Sequence, residues 1–137
     1  MKFKIPKMIP SLEDMLELEA STFGNENKYA FYCLSLSTAS ILSISFKPIP
    51  FNEQTLIELS IDPRSLKLSE CINCCGTITR MEKSPSPLVR EFNNSIKFRK
   101  PIMALLSLQI TQISADHHRL LEQYYLDLIL DDGQGHT

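Results

Sequence analysis

Apolar and polar residues alternate at period two in several short runs, each cut off by small residues or proline, and this constrains the fold more than any other feature. Tyr32, Leu34 and Leu36 alternate with Cys33, Ser35 and Ser37, and after a small-residue break Leu42, Ile44 and Phe46 alternate with Ser43 and Ser45. Ile57, Leu59 and Ile61 alternate with Glu58, Ser60 and Asp62, and Leu106, Leu108 and Ile110 with Ser107, Gln109 and Thr111. Strand side chains point to opposite faces at each step, so every run reads as a half-buried strand whose larger apolar residues face a core. Pro48, Pro50 and Pro63 end the second and third runs, because proline brings no N–H to a ladder. The segment Ile72 to Glu82 is strand-prone through Thr77, Ile78 and Thr79, and Gly76 in its middle predicts a bulge or a close backbone approach. Short strands in this succession predict a mainly β fold, a small antiparallel β-barrel.

The two ends read as helical. Ser11-Leu-Glu-Asp14 sets a hydroxyl at a cap and a carboxylate three residues on; Leu12, Met15 and Leu16 follow at helical spacing, and Gly24-Asn25 closes the segment. Residues 1–28 are expected as an N-terminal extension with this short helix, residues 29–130 as the barrel with a C-terminal closing helix, and 131–137 as a flexible polar tail. Ser114 caps the closing helix, Asp116 sits in its first turn, and Leu120, Leu121, Tyr124, Tyr125 and Leu128 form one stripe. Leu126, Ile129 and Leu130 fall outside that stripe, so the apolar arc is wider than one barrel face needs. They are the candidate interface, covered either by a partner or by the N-terminal segment. Ser84 to Pro87 reads as a loop, and Leu88 to Pro101 carries no readable period. Its Arg90, Lys97, Arg99 and Lys100, beside Glu91, read as a solvated connection rather than a phosphate patch.

Composition excludes several classes. A chain of 137 residues with 43% apolar and 22% charged residues can bury a core as one domain. Its net charge of -2 gives no pull toward a nucleic-acid polymer or an anionic membrane. Apolar runs such as Ile102 to Leu106 are far short of the roughly 20 residues that cross a bilayer, and no secretory signal is visible, so a cytoplasmic protein is expected. Cys33, Cys71, Cys74 and Cys75 would then meet a reducing compartment. Cys71-Ile-Asn-Cys74 has CxxC spacing, and His117-His118 could complete a zinc site, but an odd separation on a strand makes the two thiols diverge. Packing cysteines, with no metal and no cofactor, are the better account. The adjacent His117 and His118 point roughly 100° apart on a helix, without a nucleophile or acid-base partner in the pattern, so both read as solvent-facing and the chain as no enzyme.

Three phrases, in this order and spacing, resemble a PilZ domain, the small bacterial barrel known as a receptor for cyclic di-GMP. Leu34-Ser-Leu-Ser-Thr-Ala-Ser-Ile-Leu42 resembles the family's Asp-Leu-Ser-x-x-Gly turn with its flanking strands. Cys71-Ile-Asn-Cys-Cys-Gly-Thr-Ile-Thr-Arg-Met-Glu82 resembles its V-x-G-x-V-x-R-V strand, and Leu106 to Ser114 with the Leu/Tyr helix resembles its last strand and closing helix. The resemblance runs from about Tyr29 to Leu130. In that family the ligand is held by an R-x-x-x-R segment before the first strand and by the D/N-x-S-x-x-G turn. Here no arginine precedes Arg64; Ser35 stands at the acid or amide position, Ser37 keeps the serine, and Ser40 replaces the glycine.

Planar guanidinium groups fork onto phosphate oxygens and stack on guanine in a way lysine does not reproduce. The resemblance therefore implies a degenerate member: a non-catalytic regulatory or adaptor module that works by protein–protein interaction in bacterial motility, pilus or secretion signalling, without the family's cyclic di-GMP binding. The Ser35, Ser37 and Ser40 turn is then a ligand-turn remnant, and the partner is an unknown protein, with self-association left open. The alternative is a cyclic di-GMP or other phosphate-ligand sensor of a different kind, using Lys2, Lys4, Lys7 and Lys28 with the Ser35–Ser40 turn.

Overall fold

The computed structural model describes residues 16–22, 27–37, 39–62, 71–96, 98 and 100–123. Six strands, β1 (Glu17–Thr22), β2 (Tyr29–Leu36), β3 (Ser40–Ser45), β4 (Leu56–Asp62), β5 (Ile72–Lys83) and β6 (Ala104–Ile113), close into a barrel in the order β1-β2-β3-β6-β5-β4. Every neighbouring pair is antiparallel. Closure leaves no free sheet edge, which is how strands this short avoid pairing with other chains. Helix α1 (Pro87–Ser95) lies between β5 and β6, and a helical stretch, α2, covers residues 115–123.

The alternating runs are strands as expected, and β4 shows why: Ile57, Leu59 and Ile61 are buried while Glu58 and Asp62 are exposed. The N-terminal segment differs. A helix was expected up to Gly24-Asn25, but Leu16 to Thr22 is extended and pairs with both β2 and β4, so the barrel begins inside the stretch expected as an extension. Leu16, Leu18 and Ala20 are buried at every second position, and that period-two pattern wins over the capping signal upstream. Ser11 to Met15, the earlier part of the expected helix, lies outside the described residues.

Two apolar layers replace the single core read from the pattern. Inside the barrel lie Leu18, Phe31, Cys33, Ile41, Ile57, Leu59, Ile61, Ile72, Ile78 and Leu106. Outside it, α1 lays Val89 and Phe92 over Leu34, Leu42, Ile44, Ile102 and Leu105. Consequently β3 is buried on both faces, and its interior face carries Ser43 and Ser45, opposite Leu106 and Ala104. The expectation that Leu42 and Ile44 face the barrel and the serines face water is reversed, because α1 supplies the outer cover.

Helix α1 occupies the stretch read as a loop and an unreadable connection. Ser86 is its cap, accepting from the Val89 N–H at 3.3 Å, and Pro87 follows where no N–H is needed. Asn93 then clamps the returning chain: its Nδ2 donates to the Ile102 carbonyl at 3.2 Å, and its Oδ1 accepts from the Ile102 N–H at 2.8 Å. At the other end, Ser114 caps α2 by accepting from the His117 N–H at 3.2 Å, and Leu121 enters the barrel core. Gly76 lies at a register shift against β6, where a Cβ would come within 3.0 Å of the Gln109 carbonyl oxygen and 3.1 Å of Leu59. The close backbone approach favours glycine here, since any side chain would have to push its neighbours back.

Candidate functional site

The β2–β3 turn is held by its own serines. Ser37 Oγ accepts from the Ser40 N–H at 3.0 Å and from the Ala39 N–H at 3.3 Å, and lies 3.1 Å from Ser40 Oγ. The Ser37 N–H donates to the Ser40 carbonyl at 2.9 Å, and the Ala39 carbonyl accepts from Ile110 of β6 at 2.9 Å. Ser35 is exposed beside the β2 bulge, and its carbonyl accepts from Cys33 Sγ at 3.2 Å. The structure thus brings Ser37 and Ser40 together, with Ser35 just outside their network. Gln54 is the only non-glycine residue with positive φ among the described ones, so Ser40 does not use the backbone freedom that a glycine would bring.

The opposite end of the same hairpin holds a cavity of about 590 Å³. Tyr29, Tyr32, Phe46 and Phe98 form its aromatic wall, and Lys28, Lys47 and Lys100 stand around it. The rings touch in series: Tyr32 to Phe46 at 5.5 Å, Phe46 to Phe98 at 5.6 Å, and Phe98 to Phe92 of α1 at 6.4 Å between centroids. Lys28 lies 3.7 Å from Glu19, both side chains exposed. Lys28, just before β2, and Ser35 are seven residue steps apart along the extended chain, roughly 20 Å. Lys28 thus stands away from the serine turn, and Lys2, Lys4 and Lys7, the other lysines of the ligand-sensor alternative, lie outside the described residues.

No protein-family model matches the chain, and no curated protein does. Solved structures match it closely in shape. MrkH of K. pneumonia in its apo state superposes with a TM-score of 0.66 at 14% identity, over 98% of this chain and 55% of that one. The PilZ domain of YcgR from Escherichia coli, solved with c-di-GMP, gives 0.63 at 11% identity, over 93% and 92%. This chain has the PilZ fold. The Bacillus subtilis inhibitor of motility MotI/DgrA gives 0.60 at 14% identity, over 94% of this chain and 53% of its own. The chain thus spans about half the length of MrkH and of MotI/DgrA.

On the PilZ frame, the turn phrase falls between β2 and β3, the strand phrase on β5 and the last phrase on β6 with α2. The frame is kept, and within its turn the Ser37 hydroxyl bonds to Ala39 and Ser40. Leu126, Ile129 and Leu130, the candidate interface, lie outside the described residues, as do Lys97 and Arg99; Arg90 is exposed on α1 rather than in a loop. His117 corrects its expectation. It is half-buried, and its Nδ1 accepts the Asn73 N–H at 2.7 Å, tying α2 to the start of β5, whereas His118 is exposed and lies 3.7 Å from Glu122. Cys33 and Cys74 are buried as packing residues; Cys71 is exposed just before β5, so it is not one. Among the described residues no group of three or more His, Cys, Asp or Glu is placed to hold a metal. The aromatic cavity was missed from sequence, and its only signal is a repeated aromatic residue with a lysine close behind it, Phe46-Lys47 and Phe98 to Lys100.

Proposed function

We propose that this chain is a non-catalytic PilZ-like regulatory or adaptor module that acts by contact with a protein partner in the cytoplasm, within bacterial motility, pilus or secretion signalling, and without the family's usual cyclic di-GMP binding. The observation that carries the reading is the fate of Ser37: its hydroxyl is used by the amides of Ala39 and Ser40 inside the turn. The chain also has no arginine before Arg64 to fork onto phosphates from the N-terminal side. Hydrogen bonds to charged groups are worth about 1.5–3 kcal/mol each, so two lost arginine contacts remove roughly 3–6 kcal/mol. That is two to four decades of affinity, enough to carry a micromolar ligand out of the signalling range.

Leu126, Ile129 and Leu130 are the side chains this reading assigns to the partner surface. Among the described residues no helix is long and apolar enough to cross a membrane. Calorimetric titration with cyclic di-GMP at physiological salt tests the ligand half of the proposal, for which no saturable micromolar binding is expected; such binding with amide shifts in Ser35–Ser40 would overturn it. Affinity recovery from a bacterial lysate with the wild-type chain and with Ile129→Lys tests the other half. Loss of a specific partner in the variant is expected, and unchanged recovery removes the helix as the interface.

A further inference from the structure

We infer that the cavity at the far end of the β2–β3 hairpin is a binding site for a small anion with a flat aromatic body. Its volume of about 590 Å³ lies inside the roughly 300–1,000 Å³ range of small-ligand pockets and is too small for a partner helix. Its wall is a run of edge-to-face rings, Tyr32, Phe46 and Phe98, which offers a further ring the same geometry. Its rim is cationic in a chain whose net charge is -2. Lys28 already faces Glu19, but among the described residues no carboxylate lies within ion-pair distance of Lys47 or Lys100.

Both lysines are carried on held backbone. Ser45 Oγ donates to the Lys47 carbonyl at 2.7 Å and accepts from the Lys47 N–H at 3.3 Å, fixing the chain where it leaves β3. Lys100 sits two residues before Ile102, which Asn93 clamps by two hydrogen bonds. An apolar aromatic wall with two lysines at its rim is complementary to an aryl phosphate, sulfonate or carboxylate. The site is independent of the proposed loss of the usual ligand, because it lies at the other end of β2 from Ser37.

The test uses the full chain and two aryl anions, GMP and a naphthalenesulfonate, against guanosine and inorganic phosphate as halves of the ligand. Titrations are followed by amide shift mapping and by tyrosine fluorescence, to which Tyr29 and Tyr32 contribute two of the four tyrosines in a protein without tryptophan. Both aryl anions should saturate below millimolar with shifts centred on Tyr32, Phe46 and Phe98, while guanosine and phosphate bind at least about tenfold more weakly. The exposed double substitution Lys47→Gln with Lys100→Gln should weaken the aryl anions about tenfold and leave guanosine unchanged. Absence of saturation by both probes, shifts mapping elsewhere, equal binding by the double variant, or a cleft that takes only an acidic aromatic peptide would each overturn the inference.

Discussion

Two serines on one face of β3 should respond to the same substitution with opposite signs. Ser43 and Ser45 both point into the barrel and are 0% and 1% exposed. Among the described residues Ser43 Oγ has no hydrogen-bond partner, whereas Ser45 Oγ makes two bonds to the Lys47 backbone. An unsatisfied buried hydroxyl costs about 1–3 kcal/mol, and removing it leaves a void of hydroxyl size that returns about 0.5 kcal/mol of that. Ser43→Ala should therefore stabilise the fold by about 1 kcal/mol, a rise in Tm of roughly 3–5 °C for a domain of this size. Ser45→Ala removes both bonds and strands the Lys47 amide, a loss of about 1–2 kcal/mol. Urea unfolding followed by far-UV circular dichroism, with matched m-values, reads both on one scale. If Ser43→Ala loses stability, or if the two variants shift the midpoint in the same direction, the assignment of the serine face to the interior fails.

Burial pushes the Cys33 thiol from 9.0 up to about 12, against a smaller opposing pull from its bond to the Ser35 carbonyl. The folded chain keeps a proton that the unfolded chain releases, so this contribution is full below pH 9.0 and is lost as the pH rises toward about 12, by up to ~1.4 kcal/mol per unit. Cys33→Ala should flatten the alkaline limb of a stability–pH curve, and an unchanged slope would contradict the burial. Asn93→Ala should cost about 1–3 kcal/mol by releasing both partners on Ile102, and a change under about 0.5 kcal/mol in a thermal melt would sink the clamp. His117→Ala should speed hydrogen exchange at the Asn73 amide by about tenfold, since the amide loses its acceptor; an unchanged rate would mean the helix docks without that bond. Gly76→Val should lower stability by about 1–3 kcal/mol by pressing on the Gln109 backbone, which denaturant titration measures.

The strands were legible because period two survives in any short run that has one apolar side, and Ile57, Leu59 and Ile61 read correctly for that reason. Which side faces inward was not legible on β3. Alternation reports that two faces differ, but Ile41 and the serines face the barrel while Leu42 and Ile44 face α1, and a strand covered on both sides has no solvent face to anchor the choice. Recognising α1 would have settled it, yet α1 buries only Val89 and Phe92, and nine residues with two core contacts give too little period to detect. The same short reach hid β1, where a plausible capping signal upstream competed with one alternating stretch of six residues.

The candidate site followed a different logic. Ser37 was legible through the resemblance of its phrase to the family's turn, and the structure adds that a serine at the start of a turn can satisfy the turn's own amides without any ligand. That explains how the frame of a binding turn outlives its chemistry: the backbone depends on Ser37, while an anion would depend on the guanidinium groups that the first half of the chain lacks. The aromatic cavity is the converse case. Tyr32, Phe46, Phe98, Lys47 and Lys100 come from three separate segments, so no local pattern joins them, and they meet only because β2 and β3 pair in register and the Asn93 clamp returns the chain beside them. Loss of Lys47 and Lys100 together should leave the fold intact, since both are exposed, so a change in aryl-anion binding by the double variant would report on the proposed site and not on the scaffold.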